Sequence, residues 1–346
     1  MWNNLGRLAA LACVVGLALP GFAAKLEKPD VTIAVGGKSS LYYLPLTLAD
    51  RLGYFKAEGL NVEIADFAGG SKALQAMMGG SADVTAGGFD HVIVLQARGQ
   101  KVQGFVLMLS VPAISLAVSK DKAATYRSPK DLKGMKIGVT APGSTTHMFV
   151  NRVLAMGGLA PDDVAIIGVG SGPTAVAAAR GGQIDALANV EPAITMLERG
   201  GMMKVIAESV TEQGAKATFG EKLPTGCLYT KQEFIQKYPN TTQALANAIV
   251  RALKWIQQAS PDDIIGWVSK SGQCRIAGPQ DTPTHPLVAK WRLGIVACVP
   301  VVFSGKRYGA LIACREQPNS INQENVLMLE LVSAQLAAAI SRESIG

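Results

Sequence analysis

The chain has 346 residues, of which 49% are hydrophobic and 17% charged, and a formal net charge of +7 at pH 7. It is too apolar for a disordered chain and long enough for two to three domains at roughly 100–200 residues each. The positive excess is spread along the sequence without a basic cluster interleaved with aromatics, which argues against nucleic acid as a partner.

Residues 1–23 read as an export leader. Arg7 supplies the positive start, Leu8 to Leu19 the apolar stretch, and Pro20 breaks it before the small residues at Gly21 and Ala23. The apolar run falls short of the ~20 residues that span a bilayer. The expectation is a cleaved leader and a soluble mature chain in the periplasm.

After the leader the sequence repeats itself. Thr32, Ile33, Ala34 and Val35 form a β-branched run followed by Gly36, Gly37, Ser39 and Ser40, and residues 44–53 then have helical period. Asn61, Val62, Glu63 and Ile64 alternate like a strand, and Gly69, Gly70 and Ser71 open a helix over 72–78. Lys136, Ile137, Gly138 and Val139 restart the pattern, followed by Pro142, Gly143, Ser144, Thr145, Thr146 and another helix. Gly70, Ala73, Leu74, Gly79, Gly80 and Asp83 recur 102 positions later as Gly172, Ala175, Val176, Gly181, Gly182 and Asp185. Two copies of a strand–turn–helix order imply an α/β protein of two similar lobes with parallel sheets.

In such sheets a ligand sits beyond the carboxyl ends of the strands, in the loops that enter helices. A helix start exposes unpartnered N–H groups and a partial positive charge, and nearby hydroxyls add donors without bulk. Three turns have this chemistry: Ser39 and Ser40; Gly69, Gly70 and Ser71; and Gly143, Ser144, Thr145 and Thr146. Each alone is more often a structural cap, but their recurrence at matching places points to a site for an anionic group. No Gly-Lys-Ser/Thr follows the glycines, so none is a P-loop.

Tyr42, Tyr43 and Phe89 are candidates to stack on or wall off a ligand, although aromatic residues beside turns are more often packing. Gly88 is a further ligand-binding candidate, and Asn189 and Glu191 follow the expected strand 184–187 toward the cleft. Asp90, after Gly87 and Gly88, reads as a solvated loop carboxylate, with contact to an ammonium group as the other option. Asp83 and Asp185 sit before strands, at the wrong end for a ligand, and read as turn residues. Further on, Asn240 and Gln243 read as a helix cap, followed by an apolar stripe of Leu245, Ile249, Ala252, Leu253 and Ile256 that is core packing.

No catalytic set, metal site or cofactor is expected. Beyond the leader, Cys227, Cys274, Cys298 and Cys314 form no CxxC pair, and His91, His147 and His285 lie in separate segments without metal-ligand spacing.

Thr32 to Val35, the segment Leu52-Gly53-Tyr54-Phe55-Lys56-Ala57-Glu58-Gly59-Leu60, and residues 131–139 together resemble the nitrate/sulfonate/taurine class of ABC-transporter substrate-binding proteins, which includes binders of thiamine-pyrimidine precursors. The resemblance covers about residues 30–265. It implies a type II-like periplasmic-binding-protein fold, with lobe I at 30–116 and 218–268, lobe II at 117–217, and crossings near 114–119 and 219–224. It also implies a small anionic or zwitterionic solute, a membrane permease as partner, and a monomer. By motif, the family's contacts fall on Ser39, Ser40, Gly69, Gly70, Ser144, Thr145 and Thr146.

The pattern departs from that class after Ile264. Residues 269–286 have linker composition, and 287–342 resemble the final third of a GAF domain, with hairpin strands at 294–301 and 305–312 and a helix over 322–341. This small α+β segment is too short for a whole GAF fold, and reads as a fused fragment without a sensory role. Two other readings stay open: a pyrimidine-precursor enzyme of the same fold, against which stands the lack of a cysteine cluster, and a sensory hybrid, against which stands the lack of an output segment.

Overall fold

A computed structural model describes residues 25–260, 263–264, 275–277, 295–303 and 306–315. The expected leader, most of the linker and the terminal helix 322–341 lie outside the described residues.

The chain between 25 and 260 builds two five-stranded sheets flanked by helices. The first contains β1 (Asp30–Val35), β2 (Asn61–Asp66), β3 (Val84–Gly88), β4 (Val102–Leu107) and, much later in the chain, β10 (Gly226–Lys231). The second contains β5 (Ser115–Ser119), β6 (Lys136–Val139), β7 (Ala165–Gly168), β8 (Ala186–Asn189) and β9 (Met203–Glu208). The strand orders are β2-β1-β3-β10-β4 and β7-β6-β8-β5-β9. Position by position the two orders are the same, so the repeat seen in the sequence is a repeat of topology.

The sheets are mixed, not parallel as expected. β1 pairs parallel with β2 and β3, and β6 with β7 and β8. β10 and β5, however, run antiparallel to both their neighbours. A parallel neighbour needs a crossover on the same sheet. β5 and β10 instead arrive from the opposite lobe, so that constraint does not act on them and each enters its sheet in the reverse sense.

These two strands also define the passages between lobes. β4 ends at Leu107 in the first sheet and β5 opens at Ser115 in the second, which puts the first passage at 108–114; the second lies between Phe219, the last residue of a helix, and Gly226. The expected lobe boundary at 116 therefore moves back, because Ser115 and Leu116 already pair with Asn189 and Ala188. The passages run side by side, with Thr225 donating its N–H to the Leu109 carbonyl at 3.1 Å. Ala113 in the first passage is the non-glycine residue with positive φ (54°) among the described residues, a left-handed conformation that costs an L-residue energy.

Burial follows the central strands. Every residue of β3 and β8 is buried, as expected of strands covered on both faces. Ile33, Leu46, Leu48, Leu228, Leu245 and Ile249 pack in lobe I, and Ile137, Val139 and Leu154 in lobe II, all inaccessible to solvent. Each such side chain contributes roughly 1.5–3 kcal/mol of burial. Asp83 and Asp185 play equivalent structural parts: Asp83 accepts the Thr32 N–H at 3.0 Å and Asp185 the Lys136 N–H at 2.8 Å, each pinning the first parallel strand of its lobe.

The long helix Pro239–Gln258 starts one residue before the expected Asn240 cap. Proline at the first helical position carries a preset φ and no orphan N–H. The cap comes instead from Glu27, whose carboxylate accepts the N–H groups of Asn240 (3.2 Å) and Thr241 (3.1 Å). Burial raises the Glu27 carboxyl, but those backbone N–H bonds and the Thr241 hydroxyl prevail and hold it below its ordinary value. A carboxylate depressed on folding stabilises above its unfolded value and loses that contribution as pH falls through the folded one. Glu27→Ala is therefore expected to lower the melting midpoint at pH 7, with the difference from wild type shrinking as pH falls below the unfolded carboxyl value of about 4.3 and through the lower folded one; a difference that does not decline on acidification removes Glu27 from the cap.

Beyond residue 264, β11 (Arg275–Ala277), β12 (Ile295–Phe303) and β13 (Lys306–Arg315) form an antiparallel sheet. β12 and β13 correspond to the two expected hairpin strands. β11 lies inside the segment read as linker, where a three-residue strand between glycine and proline carries no periodic signal. Among the described residues no helix is long and apolar enough to cross a membrane.

Candidate functional site

The carboxyl ends of β1 and β6 point their following turns at each other across the gap between lobes. From lobe I come Gly36, Tyr42, Tyr43, Gly70 and Gly88; from lobe II come Thr140, Ser144, Thr145, Thr146 and Val190; Ile114 of the first passage closes the side. The cavity between them is about 30 Å³, room for roughly two water molecules. The lobes are closed on each other.

The turn hydroxyls are not helix caps. Ser144 stands at the start of the helix Thr145–Met156, yet its side chain makes no capping bond there. It reaches across the gap instead: Ser144 Oγ accepts the Ser71 N–H at 3.0 Å and donates to Ser71 Oγ at 3.2 Å. Ser71 Oγ in turn donates to the Pro142 carbonyl at 2.9 Å. Thr145 Oγ1 donates to Asp90 Oδ1 of lobe I at 2.8 Å, and the Leu41 N–H donates to the Glu191 carbonyl at 2.9 Å. The groups that would cap a helix in isolation here join two lobes.

Asp90 is thus no solvated loop carboxylate. Its side chain is 19% exposed, with one oxygen on Thr145 and the other, Oδ2, buried without a protein hydrogen-bond partner. Tyr42 is 5% exposed, and its hydroxyl is likewise buried and unpartnered. Burial drives the Tyr42 pKa well above its ordinary value, with Tyr43 and Asp90 adding to the rise, so the side chain is a neutral phenol. A buried oxygen without a partner costs about 1–3 kcal/mol; the Tyr42 side chain belongs to the cavity lining, and Asp90 stands against Thr145 and Gly88 of that lining.

The remaining expected residues divide by place. Gly69 lies against Ala141 of lobe II, where a Cβ would come within 2.8 Å of the Ala141 Cβ. Gly143 has φ +83°, a conformation glycine adopts without penalty, and it donates its N–H to His147 Nδ1 at 3.0 Å. Thr146 lines the cavity, with its hydroxyl held by Thr140 at 2.9 Å. Eight of the expected residues are not part of the cavity lining: Gly69, Ser71, Asp90 and Gly143, already placed, and four more. Ser39 is exposed, and Ser40 donates to the Gly37 carbonyl of its own turn at 2.9 Å. Asn189 donates to the Gly170 carbonyl and accepts the Val190 N–H, so its amide is consumed in holding a loop. The Glu191 carboxylate accepts the Thr195 N–H at 3.0 Å and serves the next helix.

His91 is the residue that sequence reasoning missed. It is 4% exposed, with Nδ1 3.0 Å from the Tyr229 hydroxyl and Nε2 3.3 Å from the Gly143 carbonyl. A carbonyl only accepts, which places the proton on Nε2 and makes Tyr229 the donor to Nδ1. The imidazole therefore ties the lobe I sheet to the lobe II turn. Its position beside Asp90 was visible in the sequence; its partners, 138 and 52 residues away, were not. Cys227 is buried, and burial pushes its thiol up to about 12, far from a nucleophile's range.

The model of the NMT1-like family matches residues 24–266, and a GAF-domain model matches 206–340. The two overlap over 206–266, where β10 is an inner strand of the lobe I sheet. The taurine-binding periplasmic protein of Escherichia coli K12 is 25% identical over 264 residues, covering 74% of this chain and 77% of that one. A solved structure of a Bordetella bronchiseptica RB50 protein is 55% identical, covers 71% of this chain and 77% of its own, and superposes with a TM-score of 0.70. The alkanesulfonate-binding protein of Xanthomonas axonopodis pv. citri, bound to MOPS, is 20% identical, covers 91% of this chain and 94% of its own, and has a TM-score of 0.57; it shares the fold.

Proposed function

The chain belongs to the NMT1-like family, and from that membership and the geometry of the cleft we propose that it is the extracytoplasmic solute-binding component of an ABC importer. It captures a small anionic or zwitterionic organic solute between its lobes and delivers it, as a monomer, to a membrane permease. Residues 1–23 are the leader that exports it to the periplasm. The GAF-like segment 287–342 is a fused fragment with no part in capture.

One observation carries this reading: the hydroxyls of Ser71, Ser144 and Thr145 bond across the gap rather than within their own helices. The starts of the helices Gly70–Met78 and Thr145–Met156 meet there, and together they offer N–H and O–H donors to an acidic group. Tyr42, Gly70, Gly88, Ser144, Thr145 and Thr146 are the contacts, with Asp90 and Ser71 at the margin. A solute of taurine's size exceeds the present cavity. Capture therefore proceeds by opening at the passages 108–114 and 220–225, followed by closure in which the solute replaces direct serine–serine contact. The inert Cys227 thiol and the structural bonding of His91 favour binding over chemistry.

Thermal-shift screening of the secreted chain against small sulfonates, carboxylates, nitrate and pyrimidines tests the proposal. A true ligand at a hundredfold excess over its dissociation constant is expected to add about 2.7 kcal/mol of stability. No shift with any of these classes overturns it.

A further inference from the structure

We infer that the cleft selects solutes carrying a hydrogen-bond-donating nitrogen in addition to an acidic group, with the Asp90 carboxylate receiving that nitrogen; this rests on the reading of the cleft as a solute site. Asp90 Oδ1 accepts from Thr145 at 2.8 Å. Oδ2 is buried and unpartnered, and a carboxylate oxygen can only accept. Its neighbour His91 Nε2 stands 3.9 Å away, beyond hydrogen-bond reach, and is turned to the Gly143 carbonyl. Asp90 is not itself part of the cavity lining but stands directly against two residues that are, Thr145 and Gly88; the Tyr42 hydroxyl, on a side chain nine-tenths buried that lines the cavity, is also without a partner.

The charge balance points the same way. Among the described residues no lysine or arginine lines the cavity, so the positive side of the site is made of helix starts and hydroxyls alone. Those suffice for an acidic group. A solute with nothing but an acidic group, however, would set a second negative charge beside the unpartnered Asp90 oxygen in a water-poor gap, where repulsion is strong. An ammonium on the same solute converts that repulsion into a charge-assisted hydrogen bond. Small zwitterions fit both halves; nitrate and simple alkylsulfonates fit one.

The test uses matched pairs on the full chain by isothermal titration calorimetry: taurine against ethanesulfonate, β-alanine against propionate, and 4-(aminomethyl)benzoate against 4-methylbenzoate. In a pair that binds, the amine-bearing member is expected to bind about tenfold or more tightly, the size of one hydrogen bond to a charged group. Asp90→Asn is expected to bring that ratio near one. Equal or tighter binding of the amine-free member by the wild-type chain overturns the inference while leaving the solute-site reading intact, and it does so whether or not the variant folds. An unchanged ratio in a folded Asp90→Asn variant overturns it too. No binding by any member of any pair overturns this inference and leaves the solute-site reading to the wider screen that includes nitrate and pyrimidines.

Discussion

Ser144→Leu combined with Thr145→Val is expected to weaken solute binding on the order of a hundredfold, the equivalent of two or three lost hydrogen bonds, while leaving the thermal midpoint of the solute-free chain within a few degrees of wild type. The asymmetry follows from where these side chains bond. Were Ser144 a helix cap, its loss would cost about 1 kcal/mol of lobe II stability. Its hydroxyl makes no such bond; both of its contacts are with Ser71 of the other lobe, and the Thr145 hydroxyl contacts Asp90 there. Lobe II can fold without either. Leucine at 144 adds bulk where an acidic group would approach, and valine at 145 keeps the shape of threonine while removing its donor. Calorimetric titration and a melting curve on the same sample check both halves. Unchanged affinity would remove this turn from the site, and a collapsed melting curve would return Ser144 to a packing role.

The repeat, the α/β class and the facing turns were legible in the sequence because each is local. Gly70 and Gly172, or Asp83 and Asp185, mark the same turn of the same motif, and a β-branched run followed by glycine and serine states its own geometry. What was illegible depends on which chain segments meet. β5 and β10 read as ordinary strands, and only their arrival from the opposite lobe makes them antiparallel. Asn240 looked like a cap because a better acceptor, Glu27, lies 213 residues earlier. Asn189 and Glu191 stand at the right end of their strand, but their polar atoms are taken by Gly170 and Thr195, which alternation along a strand does not reveal. Asp90 looked solvated for the reason that His91 looked incidental: the groups that bury and bind them come from lobe II. Sequence spacing carried the elements, and the site is a property of their closure.

Closure itself is open to a single methyl-sized test at Gly69. The backbone there is extended, with φ −175°, a conformation any residue adopts, so a side chain brings no strain of its own. The atoms that a Cβ would meet are the Ala141 Cβ at 2.8 Å, the Ala141 nitrogen at 3.0 Å and the Thr140 carbonyl carbon at 3.0 Å, all of them in lobe II. Gly36 shows the contrast: a Cβ at that position would run into the backbone of Gly69 and Gly70 in its own lobe, and would disturb folding. Gly69→Val should therefore leave each lobe intact and hold the pair apart, since a packed backbone cannot yield to overpacking without a cost of typically 1–3 kcal/mol. That cost falls on the closed state alone and lowers affinity by roughly ten- to a hundredfold. Gly69→Ala, with one carbon in place of three, should fall between wild type and Gly69→Val. Small-angle scattering should show the wild-type chain contracting on addition of solute and the valine variant failing to do so. If Gly69→Val binds and contracts like wild type, the lobes do not grip their solute through this contact, and the mechanism of capture by closure over the Gly69–Ala141 seam is wrong.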